Sequence, residues 1–150
     1  MADRRPGTKG AVKLLNTSDI NEWQAMLLNY NDAVARVALS KKKHELNIMD
    51  KWLWNEFYDV VKSRSPPHCT KDELTRIMQW KLYRGKNRPA LLNLIHQNSE
   101  SSVTSISQEA FGLLFSDKGS WKPALKKLTD LRGVGPATAS AILAPLAVTA

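Results

Sequence analysis

The segment from Leu131 to Leu143, LRGVGPATASAIL, contains a Gly-Val-Gly turn that is followed at once by a proline. Glycine tolerates positive φ and close approach of another backbone, and proline suits the first position of a helix. The free N–H groups of a helix N-terminus point outward and carry partial positive charge, so they bind phosphate well. Pro136 has no N–H. The candidate phosphate donors are the backbone amides of Gly133, Val134, Gly135 and Ala137.

Apolar residues upstream of the turn, from Trp121 to Leu131, recur at three- and four-residue spacing, which predicts a helix. The complete unit, LTDLRGVGPATASAIL, resembles the helix-hairpin-helix motif in the form found in the DNA glycosylase superfamily. The resemblance covers about residues 121 to 144 and implies that the hairpin amides grip a DNA phosphate without reading base sequence. Arg132 and Thr138 belong to the same candidate site. A second interpretation stays open, in which the glycines only let the helices pack closely.

Two groups that DNA glycosylases use for catalysis are missing from this sequence. The catalytic Asp of that superfamily follows the second hairpin helix, whereas residues 144–150 contain no carboxylate. Bifunctional members carry a Lys two residues after the second glycine, where this chain has Ala137. We therefore expect DNA binding without catalysis, by a chain shortened relative to the glycosylases. The alternatives are a glycosylase-like repair enzyme, or a fragment of one, that uses Glu109 or Asp130, and a helical protein-interaction module.

Basic residues form two further candidate contact regions. Residues 80–89, WKLYRGKNRP, contain four basic residues, two aromatic residues and no acidic residue. This mixture suits nucleic acid, because cations meet phosphates and rings stack on bases or sugars. The candidates here are Lys81, Arg84, Lys86 and Arg88. The upstream hairpin helix adds Lys122 and Lys126, four residues apart on one face, with Lys118 just before it. The basic residues of both regions are equally compatible with ordinary solvated helix surfaces. Trp80 is compatible with a place in the core.

The composition favours an acidic partner. The 150-residue chain has 22 Lys and Arg against 14 Asp and Glu, a formal net charge of +8, which suits nucleic acid. Because Cys69 is the only cysteine, the chain cannot form an internal disulfide or a cysteine-based metal site such as an iron–sulfur cluster. The histidines lack metal-ligand spacing, so we expect no metal and no cofactor. Without a long apolar run or a signal peptide, we expect a nuclear or cytosolic protein that does not contact membranes.

Helical spacing recurs along the chain and strand signals are weak. We expect residues 1–15 to form a basic disordered tail and residues 16–150 to form one all-α domain. This domain should be a compact bundle of seven to eight helices that ends in the helix-hairpin-helix unit. Its first helix, capped by Ser18 or Asp19, should carry Trp23, Met26, Leu27 and Tyr30 on one face.

Local signals predict three further element boundaries. Asp50 is a candidate N-cap for a helix with a broad apolar face. Thr70 and Glu73 form a capping-box pattern, which predicts a helix start at that point. The Ser- and Thr-rich stretch from Ser99 to Ser105 predicts a polar loop, followed by a short helix that ends near Phe115.

Overall fold

The regular structure of this protein is α-helical in a computed structural model that describes residues 16–116 and 121–148. The all-α prediction is therefore confirmed, whereas the predicted tail at 1–15 and Lys118 lie outside the described residues. The helices are α1 (Ile20–Leu28), α2 (Tyr30–Ser40), α3 (Leu46–Asn55), α4 (Phe57–Lys62), α5 (Lys71–Arg84), α6 (Pro89–His96), α7 (Glu100–Phe115), α8 (Trp121–Leu128) and α9 (Pro136–Val148).

Helix α5 lies at the centre of the domain and contacts α2, α3, α6, α7 and α9. Its inner face buries Leu74, Ile77 and Met78 against side chains of the surrounding helices, including Phe57 and Phe111. Burying an apolar side chain of this size stabilises a fold by about 1.5–3 kcal/mol. The apolar positions at helical spacing thus bring the basic end of α5 towards α9, the second hairpin helix.

The start of α5 is fixed by the predicted capping box. Thr70 Oγ1 accepts a hydrogen bond from Glu73 N–H, and Glu73 Oε2 accepts one from Thr70 N–H. Arg64 adds a bidentate ion pair to the same carboxylate, with N···O distances of 2.7 and 2.8 Å. Burial raises the pKa of Glu73, but the hydrogen bonds from Arg64 and Thr70 outweigh it, so the pKa lies below its usual value.

We expect Glu73→Gln to lower the free energy of unfolding by about 1–3 kcal/mol at neutral pH, because it leaves the Arg64 guanidinium without its charged partner. A lowered carboxyl pKa contributes stability above the unfolded-state pKa and loses it as the pH falls through the folded-state pKa. The difference between the variant and the wild type should therefore shrink on acidification, as measured by urea unfolding. Asp72→Asn, an exposed neighbour in the same helical turn, is the control and should show a much smaller difference.

Two predicted boundaries are wrong. Residues 100–105 are helical: α7 begins at Glu100, and the Ser99 side chain accepts a hydrogen bond from Ser102 N–H as its N-cap. Val103, Ser107 and Leu114 are buried on α7. The burial of this face outweighs the weak helix propensity of serine. Asp50 is not a cap either, since it lies inside α3 and is buried.

Of the residues predicted to share one face of the first helix, Tyr30 begins α2 and packs against the core, whereas the other three do not join the core. Asp19 caps the helix through Asn21 N–H as expected, but α1 has no buried residue, and Leu27 is 68% exposed. Trp121 is likewise exposed, although it stands in register with Leu128 and Leu131, which are buried. The apolar spacing predicted the two helices correctly, but no other described helix covers the apolar side chains of α1 or Trp121 of α8.

Candidate nucleic-acid interface

The Gly-Val-Gly segment forms a tight turn between α8 and α9. Leu131 and Val134 are buried and anchor the turn to the core. The N–H of Val134 donates to the carbonyl of Leu131 at 3.1 Å. This internal bond corrects one prediction, because the Val134 amide is not free to donate to a phosphate.

A buried asparagine from outside the motif holds the turn. Asn98 follows α6, and its side chain binds both backbone groups of Arg132. Its Oδ1 accepts from Arg132 N–H at 2.9 Å, and its Nδ2 donates to the Arg132 carbonyl at 3.0 Å and to the Ile95 carbonyl at 3.0 Å. The Arg132 amide is therefore also occupied, and Asn98 acts as a positioning residue. Nothing in the local sequence pattern had marked Asn98, since its partner is distant along the chain.

The first glycine of the turn is required by packing. Gly133 has a φ of +80°, a conformation that other residues rarely adopt. A Cβ at this position would lie 3.0 Å from Leu94 Cβ and 3.2 Å from both Ile95 N and the Leu91 carbonyl oxygen. Gly133 thus lets the turn lie directly on α6.

The second glycine has no such requirement. Gly135 is exposed, lacks a positive φ, and a Cβ built there would meet no atom within 4 Å. Its carbonyl accepts the first helical hydrogen bond of α9, from Ala139 N–H. Among the described residues, no acceptor pairs with the N–H groups of Gly135 and Ala137, which flank Pro136 on the solvent side. Gly135 and Ala137 are both exposed, so their amides are candidate donors to a ligand in solvent.

A lysine from α5 stands at this same helix end. Lys81 Nζ donates to Thr138 Oγ1 at 2.7 Å, and the Thr138 side chain is buried in the first turn of α9. Burial lowers the pKa of Lys81, and the positive charge of Arg88 lowers it further. A cation thus lies next to the positive end of a helix dipole, with Arg88 as a second cation nearby.

The predicted basic stretch and the hairpin unit share one depression, which we call the hairpin cleft. It has a volume of about 480 Å³, and it lies between the end of α5 and the small residues of α9, with two tryptophans in its lining. Its lining includes Trp54, Trp80, Lys81, Arg84, Ala137 and Ser140. Trp80 is buried, as expected of a core residue, and the Arg84 guanidinium lies 5.2 Å from its ring centroid. Lys86 and Arg88 are exposed on the connection between α5 and α6.

The lysines of α8 are not brought into the hairpin cleft. Lys122 and Lys126 are exposed, and Lys122 lies over its neighbour Trp121. Lys127 pairs with Glu109 at 2.7 Å and with Asp130 at 3.4 Å. These two carboxylates, the candidate acids of the enzyme alternative, are more than half exposed and do not line the hairpin cleft.

No protein family, curated protein or solved structure was found to match this chain. Within the described ranges, no helix is long and apolar enough to cross a bilayer. The same ranges contain no cluster of three or more His, Cys, Asp or Glu side chains placed to bind a metal ion.

Proposed function

We propose that this protein binds the sugar–phosphate backbone of DNA through the hairpin cleft, without sequence preference and without catalysis. The observation that carries the proposal is the position of Lys81, a partly desolvated cation at the free N-terminus of α9. This arrangement is unfavourable in the unbound protein, because a helix N-terminus repels a nearby cation. A phosphate that accepts from the α9 amides and pairs with Lys81 would relieve that repulsion.

Backbone recognition is favoured over base recognition by the chemistry of the donors. Free amides at Gly135 and Ala137 suit phosphate oxygens, and contacts of this kind carry no sequence information. The resemblance of the hairpin to the DNA-binding helix-hairpin-helix motif supports the same conclusion. We also propose a nuclear or cytosolic location, which agrees with DNA as the partner.

A polymeric anion is favoured over a single small one by the extent of the charge. Lys81 and Arg84 line the hairpin cleft, and Lys86 and Arg88 continue the positive surface beyond it. The whole chain adds a net charge of +8. A strand that crosses the cleft would meet several of these cations in succession. The repair-enzyme alternative gains no support from this site, since no lining residue of the cleft is acidic.

The direct test is duplex DNA binding as a function of salt. Neutralisation of roughly 3–5 phosphates predicts that log K falls against log[salt] with a slope of about −3 to −4.5. Fluorescence anisotropy with two 20-base-pair duplexes of unrelated sequence should give the same affinity and the same slope for both. A flat salt response, or no binding at low salt, would show that the hairpin only packs the helices together.

A further inference from the structure

A second cavity is also lined by Trp54, which it shares with the hairpin cleft. We call it the Asp50 cavity; it has a volume of about 450 Å³, within the range of small-molecule sites. Leu27, Tyr30, Trp54 and Val148 supply most of its apolar wall, and Asp50 is its acidic group. A largely apolar cavity with one carboxylate is suited to a ligand that has both an apolar body and a positive charge.

The Asp50 carboxylate is buried in an uncommon way. Its side chain is only 3% exposed, and its Oδ1 accepts two hydrogen bonds of 2.8 Å, from Tyr30 Oη and from Trp80 Nε1. Both donors are neutral. The ion pairs among residues 16–116 and 121–148 do not include Asp50. Burial of a carboxylate is costly without a charged partner, and two neutral donors on one oxygen compensate only part of that cost.

The nearby cations stack on rings or line the rim of the cavity. The Arg84 guanidinium carbon lies 5.8 Å from the Tyr30 ring centroid and 5.2 Å from that of Trp80. Lys51 is exposed and lines the cavity. Burial and the hydrogen bond to Asp50 raise the pKa of Tyr30 to about 12, so Tyr30 stays a donor at neutral pH. The carboxylate is therefore held in place, with Oδ2 left for a further donor.

We propose that the Asp50 cavity binds a small alkylammonium ion. Its N–H would donate to Asp50, and its alkyl groups would lie against the faces of Trp54 and Tyr30. A carboxylate and aromatic rings attract a cation by different mechanisms, Coulombic pairing and cation–π interaction. This site does not depend on the DNA-binding function, although the shared Trp54 makes it a neighbour of the hairpin cleft.

The ligand series that tests the proposal is N,N-dimethylhexylammonium, its quaternary trimethyl analogue and neutral 1-hexanol. Calorimetric titration of the full chain should show that the dimethyl ion binds at least about tenfold more tightly than hexanol, which lacks the charge. The quaternary ion keeps the charge but has no N–H, so it should bind with intermediate affinity. Equal binding of hexanol would overturn the proposal and would leave only an apolar cavity.

Variants locate the site. Asp50→Asn keeps an oxygen for Tyr30 and Trp80 but removes the charge, so affinity for the dimethyl ion should fall about tenfold. Lys51→Gln removes a cation from the rim and should raise the affinity, an effect that loss of structure would not produce. Asp72→Asn, an exposed control outside the cavity, should change nothing.

The result does not depend on the stability of the Asp50 variant. If Asp50→Asn does not fold, Trp54→Leu keeps the hydrogen bonds to Asp50 and should lower the affinity several-fold. Wild-type affinity in folded Asp50→Asn, or in Trp54→Leu where the first variant is unfolded, would refute the site.

Discussion

Duplex DNA affinity should fall about tenfold or more when Gly135 is replaced by valine, while the protein stays folded. The new side chain would enter open space, since no atom lies within 4 Å of the Cβ position. We expect its bulk, next to the amides of Gly135 and Ala137 in the chain, to obstruct a phosphate that approaches them. A charge-assisted hydrogen bond contributes about 1.5–3 kcal/mol, and each 1.4 kcal/mol corresponds to a tenfold change in affinity.

The cost of this substitution to stability should be small. Gly135 precedes α9 as its N-cap, where valine is less favourable than glycine by roughly 1 kcal/mol. For a chain of this length that lowers the melting temperature by about 2–4 °C. Thermal unfolding and fluorescence anisotropy on the same samples separate the two effects. If folded Gly135→Val binds DNA like the wild type, the α9 amides do not contact phosphate.

The matched control is alanine at the other glycine of the turn. Gly133→Ala places a Cβ against the backbone of α6 and forces a positive φ on alanine. The destabilisation should be roughly 2–4 kcal/mol, with a fall in melting temperature on the order of 10 °C. Those Gly133→Ala molecules that remain folded should keep most of the wild-type DNA affinity. Opposite profiles for the two variants would distinguish the packing role of one glycine from the binding role of the other.

The different roles of Gly133 and Gly135 could not be predicted from the Gly-Val-Gly pattern, because they depend on packing against α6, which is distant in the sequence. Only the tertiary structure shows that Leu91, Leu94 and Ile95 press against Gly133 and leave Gly135 open. The same limit applies to the amides. Val134 was a candidate donor by position, but its N–H closes the turn onto Leu131.

Some signals that act within one helical turn predicted the structure correctly, whereas the N-cap predicted at Asp50 and the loop predicted from Ser99 to Ser105 were wrong. The capping box at Thr70 and the first-position proline of α9, Pro136, are local, so a short window contains all the interacting groups. Burial is not local. The face of α1 is apolar at helical spacing but exposed, because a sequence window does not reveal whether another helix covers it. The buried role of Asp50 was missed for the same reason, since its donors Tyr30 and Trp80 come from other helices.

The sequence predicted the basic stretch and the hairpin as separate candidate regions and did not predict that they contact each other. Four cations between residues 80 and 89 gave a candidate region, and the structure brings Lys81 onto the first turn of α9. It leaves Lys122 and Lys126 on the exposed surface of α8. The charge of a lysine does not by itself predict whether it is a strong candidate for phosphate contact. That depends on how far the lysine is desolvated and on whether it lies near the helix dipole at the N-terminus of α9.

Lys81 thus opposes folding slightly in the unbound protein. Its pKa is lowered in the folded state by burial and by Arg88, so the charged form is less favourable in the fold than in the unfolded chain. A lowered lysine pKa costs stability below the folded-state pKa, and this cost disappears as the pH rises past the unfolded-state pKa. A bound phosphate would reverse the shift, because an anion favours the charged ammonium.

Lys81→Met should therefore weaken DNA binding without weakening the fold. Methionine keeps the apolar stem of the side chain, and the Thr138 hydroxyl can turn to a carbonyl of the preceding turn. We expect the melting temperature at pH 7 to stay level or rise, and the DNA affinity to fall about tenfold at low salt, with the magnitude of the salt slope reduced by about 1. Lys126→Met removes the same charge from the exposed surface of α8 and is the control for net charge. It should change the affinity much less. Equal losses in the two variants would mean that DNA senses only the overall charge of the protein, and that the position of Lys81 beside the α9 amides has no part in binding.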